Sequence, residues 1–184
     1  MPGGTSPVAD LTCLRALAVL DDSSPGGFIA LDFPAGNGLL DVGIEQAKSN
    51  SYGSRRGNRE VLMRGTFADI RRRNSLVRAA EEGFTNRSPS GDPLKIPGAS
   101  ERYRSEGTST CIVGCKEFGT GLSRDRAAKD TNLLGMKFVL TECYESVHRL
   151  NLIGMAIHRL QLKQRETRGS LGLMGEETFA VHAR

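Results

Sequence analysis

The sequence predicts an α/β fold, and two observations predict it. Beyond residue 110, apolar runs of strand length alternate with helix-like segments, a pattern that implies parallel pairing with helices layered on the sheet. The first of those runs, Cys111-Ile112-Val113, leads through Gly114 to Phe118 into the glycine loop Gly119-Thr120-Gly121-Leu122-Ser123-Arg124-Asp125. Ala127-Ala128-Lys129 then reads as the first turn of a helix.

In chain order, Leu11 to Leu20 is an apolar stretch interrupted by Arg15 and closed by the polar turn Asp21 to Gly27. Phe28 to Leu31 reads as a short strand broken at Pro34-Ala35-Gly36, and Leu39 to Gln46 as a turn of helix. Asp69 to Arg78 has helical character with basic residues on its outer face. Thr85 to Gly98 is polar and rich in Pro and Gly, so an exposed loop is expected there. The regular alternation follows, with strands near 110–114, 137–141 and 156–162 and helices near 124–134 and 144–154. Arg159 falls in the last strand, where a buried guanidinium would need a partner, and His158 reads as a strand-edge residue.

At 184 residues the chain suits one domain burying roughly two thirds of its unfolded surface. Hydrophobic residues are 38%, Trp is absent and there are 22 Gly, so the core should be modest. No stretch approaches the roughly 20 apolar residues of a membrane span, and Met1-Pro2-Gly3-Gly4 lacks signal character, so a cytoplasmic protein with no membrane partner is expected. The net charge of +4 is carried by 19 Arg and 6 Lys, dense at Arg55-Arg56 and Arg71-Arg72-Arg73. A solvated helix face explains such clusters more economically than nucleic acid does. Cys13, Cys111, Cys115 and Cys143 have no metal-ligand spacing, so they are expected to be reduced thiols and no metal site is assigned.

The loop carries the chemistry. A helix start after a glycine turn aims backbone N–H groups and the positive end of the helix dipole at one point, which suits an anion. Arg124 offers a planar fork for a carboxylate or phosphate, and Ser123 can cap the helix or donate to the same ligand. A Gly-x-Gly turn is also common packing hardware between a strand and a helix.

Longer stretches share more than a turn. Gly119 to Lys129, Leu133-Leu134-Gly135, Glu142 to His148 and Asn151 to Met155 resemble, in order and spacing, the swivel domain of the aconitase superfamily. Asn50 to Asn58 and Met63 to Ile70 resemble that family's two other swivel signatures. The Tyr52-Gly53-Ser54-Arg55-Arg56 run matches the aconitate hydratase and iron-regulatory-protein branch rather than the isopropylmalate isomerase branch. The resemblance covers roughly residues 14 to 182 and implies a swivelling β/β/α domain, with residues 1–24 a linker remnant and 25–184 the swivel-like unit. The family continues for further strands and a closing helix where Arg184 ends this sequence, so the resemblance implies a domain truncated at its C-terminus.

The implied reaction is a stereospecific dehydration and rehydration of a tricarboxylate, a step of the tricarboxylic acid cycle. In the family a cluster iron polarises the leaving hydroxyl and a swivel-domain serine removes a carbon-bound proton. Arg64 and Arg124 match the family's two carboxylate-binding arginines, and Ser123 matches the second serine of its Gly-x-Gly-Ser-Ser-Arg loop. Leu122 stands where the first serine, the base, should be, and leucine cannot take a proton. The 4Fe–4S cluster would belong to a separate large domain or subunit, this chain binding no cofactor itself. Further departures are Asp69 for Asn, Arg126 for Trp, Asp130 for Gly, Leu150 for Ser and Arg159 for Pro. His148 matches a family histidine and is read as a structural hydrogen-bonding residue.

Three functions stay open at this level. One is an aconitate hydratase-like swivel domain that needs a cluster-bearing partner and is inactive alone. Another is a non-catalytic relic binding a tricarboxylate-like anion or a partner. The third is a weak RNA-contacting module using Arg55, Arg56 and Arg71 to Arg73.

Overall fold

The computed structural model describes residues 11–20, 43, 45, 58, 59, 63, 74–77, 83–114, 116–120 and 124–182. Among these residues seven strands and three helices follow one another as β1 (Leu11–Val19), β2 (Phe84–Arg87), β3 (Asp92–Lys95), α1 (Ile96–Ser105), β4 (Thr110–Val113), α2 (Arg124–Leu133), β5 (Met136–Thr141), α3 (Ser146–Gly154), β6 (His158–Gln161) and β7 (Thr178–Val181). Five strands form one sheet in the order β6-β5-β4-β1-β7, while β2 and β3 make a separate hairpin. The pairs β1–β4, β4–β5 and β5–β6 are parallel, and β7 closes on β1 antiparallel. This is the α/β arrangement the alternation implies.

β1 explains the apolar stretch near the N-terminus. It has a neighbour on each side, and Ala16 to Val19 are buried on both faces, so an almost unbroken hydrophobic run is what the position requires. It also moves the start of the sheet ahead of the boundary expected at residue 25, because Leu11–Val19 is a sheet strand and not a linker. Arg15 interrupts the run without being stranded, since its guanidinium donates to the Glu176 carbonyl at 3.0 Å.

A β-bulge sits in the middle of β1. Ala16 pairs with Cys111 and Ala18 with Ile112, so Leu17 is the extra residue. The bulge puts Leu17 and Ala18 in the same hydrophobic cluster, with Ala16 and Val19 in the other. It also turns a carbonyl out of the β1–β4 ladder, and the Thr85 hydroxyl of β2 donates to that Leu17 oxygen at 2.8 Å. Thr85 is fully buried. The hairpin is therefore docked on the irregular point of the central strand.

One face of the sheet packs against the helices, with Leu17, Ile112, Val139, Ala128, Leu134 and Leu152 in a single core. The other holds Ala16, Val19, Cys111, Val113 and Phe138, flanked by Phe179 and Val181. The 169–177 segment crosses the end of β1 so closely that a Cβ on Gly175 (φ +94) would stand 2.6 Å from Leu76 Cδ2 and overlap Val19.

Three further expectations are corrected. The segment from Thr85 to Gly98 is not an exposed loop: it contains β2, β3 and the start of α1. Pro97 lies in the first turn of α1, where its missing N–H costs nothing, and Ile96, Ala99, Ser100 and Tyr103 form its buried stripe. Residues 74–77, expected to end a helix, instead form a bridge to Leu20 and a turn, with Asn74 Oδ1 accepting from Val19 N at 2.9 Å. Arg159 is exposed, because β6 is the outermost strand and has no neighbour on its far side among the described residues. His158 lies on that same edge strand, as its sequence suggested. No helix among the described residues is long and apolar enough to cross a membrane.

α1, α2 and α3 each end in a left-handed residue: Gly107 (φ 70), Gly135 (φ 72) and Ala156 (φ 56). After α3 the Ile157 N–H reaches the Leu152 carbonyl and the Ala156 N–H the Ile153 carbonyl, both at 2.9 Å, the paired bonds of a Schellman end. Side chains complete the caps from helix to helix. Ser100 and Arg104 of α1 donate to the Leu134 and Leu133 carbonyls at 2.7 and 2.6 Å, and Asn132 of α2 donates to Met155 O at 2.6 Å.

Candidate functional site

The carboxyl ends of the parallel strands are where an open α/β sheet presents a crevice. β4 leads there into the glycine loop and α2, and β5 leads into residues 142–145 and α3. The two connections are tied together. Phe118 N–H donates to the Cys143 carbonyl at 3.0 Å, the Glu145 N–H donates to the Phe118 carbonyl at 3.0 Å, and Phe118 and Tyr144 form a parallel bridge. The Glu117 N–H points at the Cys143 sulfur, 3.0 Å away.

Two glycines flank Phe118 because two rings need the space. A Cβ on Gly114 would approach Phe118 Cδ2 to 2.6 Å, and one on Gly119 (φ +95) would overlap the His148 ring. The Phe118 ring meets Tyr144 edge-on at 6.3 Å and His148 at 5.5 Å, tilted by 54°. Thr120 closes the turn, its N–H at 3.1 Å and its hydroxyl at 2.6 Å from the Glu117 carbonyl. Glu117 itself takes φ 50.

α3 starts under this unit. Its N-cap is Glu145, whose carboxylate accepts from the His148 N–H at 2.8 Å, the contact expected of an acidic cap at the positive end of a helix. His148 is 1% exposed, which fits the structural role read from its sequence context. The Tyr144 hydroxyl lies 2.6 Å from the Val139 carbonyl and 3.0 Å from that of Leu160, linking β5 to β6, and its burial raises its ionisation well above the ordinary phenol value. The Cys111 thiol, beneath the opposite face of the sheet, is raised too, first by burial and then by the Glu177 carboxylate.

The sequence-predicted site residues stand as follows. α2 begins at Arg124, directly after Ser123, with Asp125 in its first turn, so the strand–glycine loop–helix order holds. Arg64, Leu122 and Ser123 lie outside the described residues, as does the side chain of Arg124. Met63, the residue before Arg64, is buried in the helix-side core with Leu20 and Ala128. Arg55, Arg56 and Arg71 to Arg73 also lie outside. Glu145 as a cap and the rings of Phe118 and Tyr144 were not singled out from sequence. An acidic residue just ahead of a helix-like run was the signal available for Glu145.

The same stretch is what known proteins share with the chain. The family model described as the aconitase C-terminal domain matches residues 38–165. Aconitate hydratase A of Pseudomonas aeruginosa is 49% identical over 180 residues, covering 95% of this chain and 20% of that protein. The Escherichia coli protein of the same name is 48% identical over 187 residues, covering 98% and 21%, and that of Thermus thermophilus 44% over 184 residues, covering 97% and 20%. The chain thus spans about a fifth of the length of these relatives. With a family match across most of its length and the strand–loop–helix unit in place, the chain belongs to the aconitase C-terminal (swivel) domain family.

Proposed function

We propose that this chain is the swivel domain of a citrate–isocitrate hydro-lyase of the aconitate hydratase type, working in the cytoplasm and offering Arg64 and Arg124 to substrate carboxylates with Ser123 beside them. The observation that carries this reading is the glycine loop at the carboxyl ends of β4 and β5, fastened to the neighbouring loop and opening α2. A helix start with a guanidinium in its first turn suits a carboxylate.

The reaction needs a 4Fe–4S cluster, which polarises the leaving hydroxyl when bound, and we assign it to large domains such as those filling the other four fifths of the relatives. Among the described residues no three His, Cys, Asp or Glu side chains gather to hold a metal. No step is therefore routed through it. The chain's own contribution would be to bind and orient a tricarboxylate. Leu122 removes the proton acceptor, a loss of about two to four orders of magnitude, so the isolated chain acts as a carboxylate-binding unit and not as a catalyst.

Citrate or tricarballylate at millimolar concentration is expected to raise the melting temperature of the chain, and Arg64→Ala or Arg124→Ala to abolish the rise. No shift for the native chain would overturn the anion-binding reading. Mixed with an active cluster-bearing large domain, the native chain should support no turnover and Leu122→Ser should gain it. Turnover by the native chain would overturn the assignment of position 122.

A further inference from the structure

The glycine loop is usually credited to the helix it opens, yet here the contacts that locate it come from the next helix. Gly119 has no Cβ and lies directly against the ring of His148, on the first turn of α3. His148 is fixed from both sides: its backbone N–H is held by Glu145, and its ring packs against Phe118, the residue before Gly119. Phe118 is in turn bonded through both its N–H and its carbonyl to the segment that launches α3. The backbone hydrogen bonds that tie Phe118 to another segment, its ring pairs and the close approach at Gly119 therefore all lead to residues 143–148, while the Phe118 side chain also packs against Gly114 and the helix-side core.

We propose that His148 is the positioning residue of the glycine loop: its ring is the surface against which Gly119 is seated, and it thereby fixes the Phe118–Gly119 turn from which the chain leads on to α2. This rests on the anion-binding reading for its purpose but not for its geometry. The ring's role is that of a stop, reached only because position 119 is glycine. Two consequences distinguish it from a histidine that merely fills the core. Removing the ring should loosen the loop selectively, and the damage from a side chain added at 119 should be partly relieved when the ring is taken away.

The test is amide hydrogen exchange on the full chain without ligand, comparing His148→Ala, Gly119→Ala, the double variant and Leu152→Ala, which opens a cavity on the same helix. Exchange in peptides spanning 116–127 should speed up about tenfold or more in each single variant at the loop, with β4 and β5 unchanged. The double variant should exchange more slowly than the two single effects combined predict. Leu152→Ala should destabilise the chain without that local signature. His148→Phe, which keeps a planar ring, should retain most of the loop's protection. Loop exchange that is unchanged in His148→Ala, or no different from Leu152→Ala, would overturn the proposal, as would strictly additive effects in the double variant. Citrate protection of the native loop is read separately. Its absence would remove the anion reading and leave the positioning result standing.

Discussion

Single side chains settle the irregular points of this protein. The bulge at Leu17 exposes a carbonyl inside the fold, and a buried acceptor without a donor is costly. Thr85 supplies the donor, so Thr85→Val, which keeps the shape and loses the hydroxyl, is expected to destabilise the chain by about 1–3 kcal/mol in urea denaturation. Thr85→Ser should recover most of it, and a loss in Thr85→Val indistinguishable from zero would mean the carbonyl finds another partner. Such a residue was not legible in the sequence. A threonine between Phe84 and Asn86 in a polar stretch looks exposed, and only the bulge in a strand almost seventy residues away makes it a core residue. His158 was legible as a strand-edge residue, whereas Arg159 beside it read as a buried charge and only the position of β6 at the sheet's edge shows why it is exposed.

Helices and strands divide along the same line between local and distant causes. The alternation after residue 110 was readable because β4 and β5 are largely apolar runs, the second broken only by Lys137, and α3 has its own buried side. β2, β3 and α1 were not, because the two strands are four residues long and Pro97 reads as a breaker although it begins a helix. The helix ends show what remains adjustable. Gly107 and Gly135 meet the left-handed position freely, whereas Ala156 holds φ 56 with a Cβ. Ala156→Gly is therefore expected to stabilise the protein by about 0.5–1 kcal/mol, the relief of left-handed backbone less glycine's extra chain entropy. A raised thermal midpoint checks it. An unchanged or lowered midpoint would mean that the surrounding backbone has already absorbed the strain.

For the molecule as a whole, the site's frame was legible and its contents were only partly so. The loop's place between β4 and α2 follows from Gly119 and the apolar run before it, while its fastening to α3 through Phe118 and His148 required the fold. Closure at the far end depends on Gly175, which lets the 169–177 segment lie on Val19 and Leu76. Gly175→Ala combines a positive φ with an overlap against packed side chains and should cost about 2–4 kcal/mol, measured by chemical denaturation. An effect under about 1 kcal/mol would show that this segment rides loosely on the sheet. The middle strand itself has a consequence for synthesis. β1 leaves the ribosome before the strands that flank it, its partners being Thr110 and Thr178, so a nascent polypeptide carries this greasy segment unpaired until those later strands have been made. Chaperone capture during translation should accordingly concentrate on Leu11–Val19, and release should wait for Thr178.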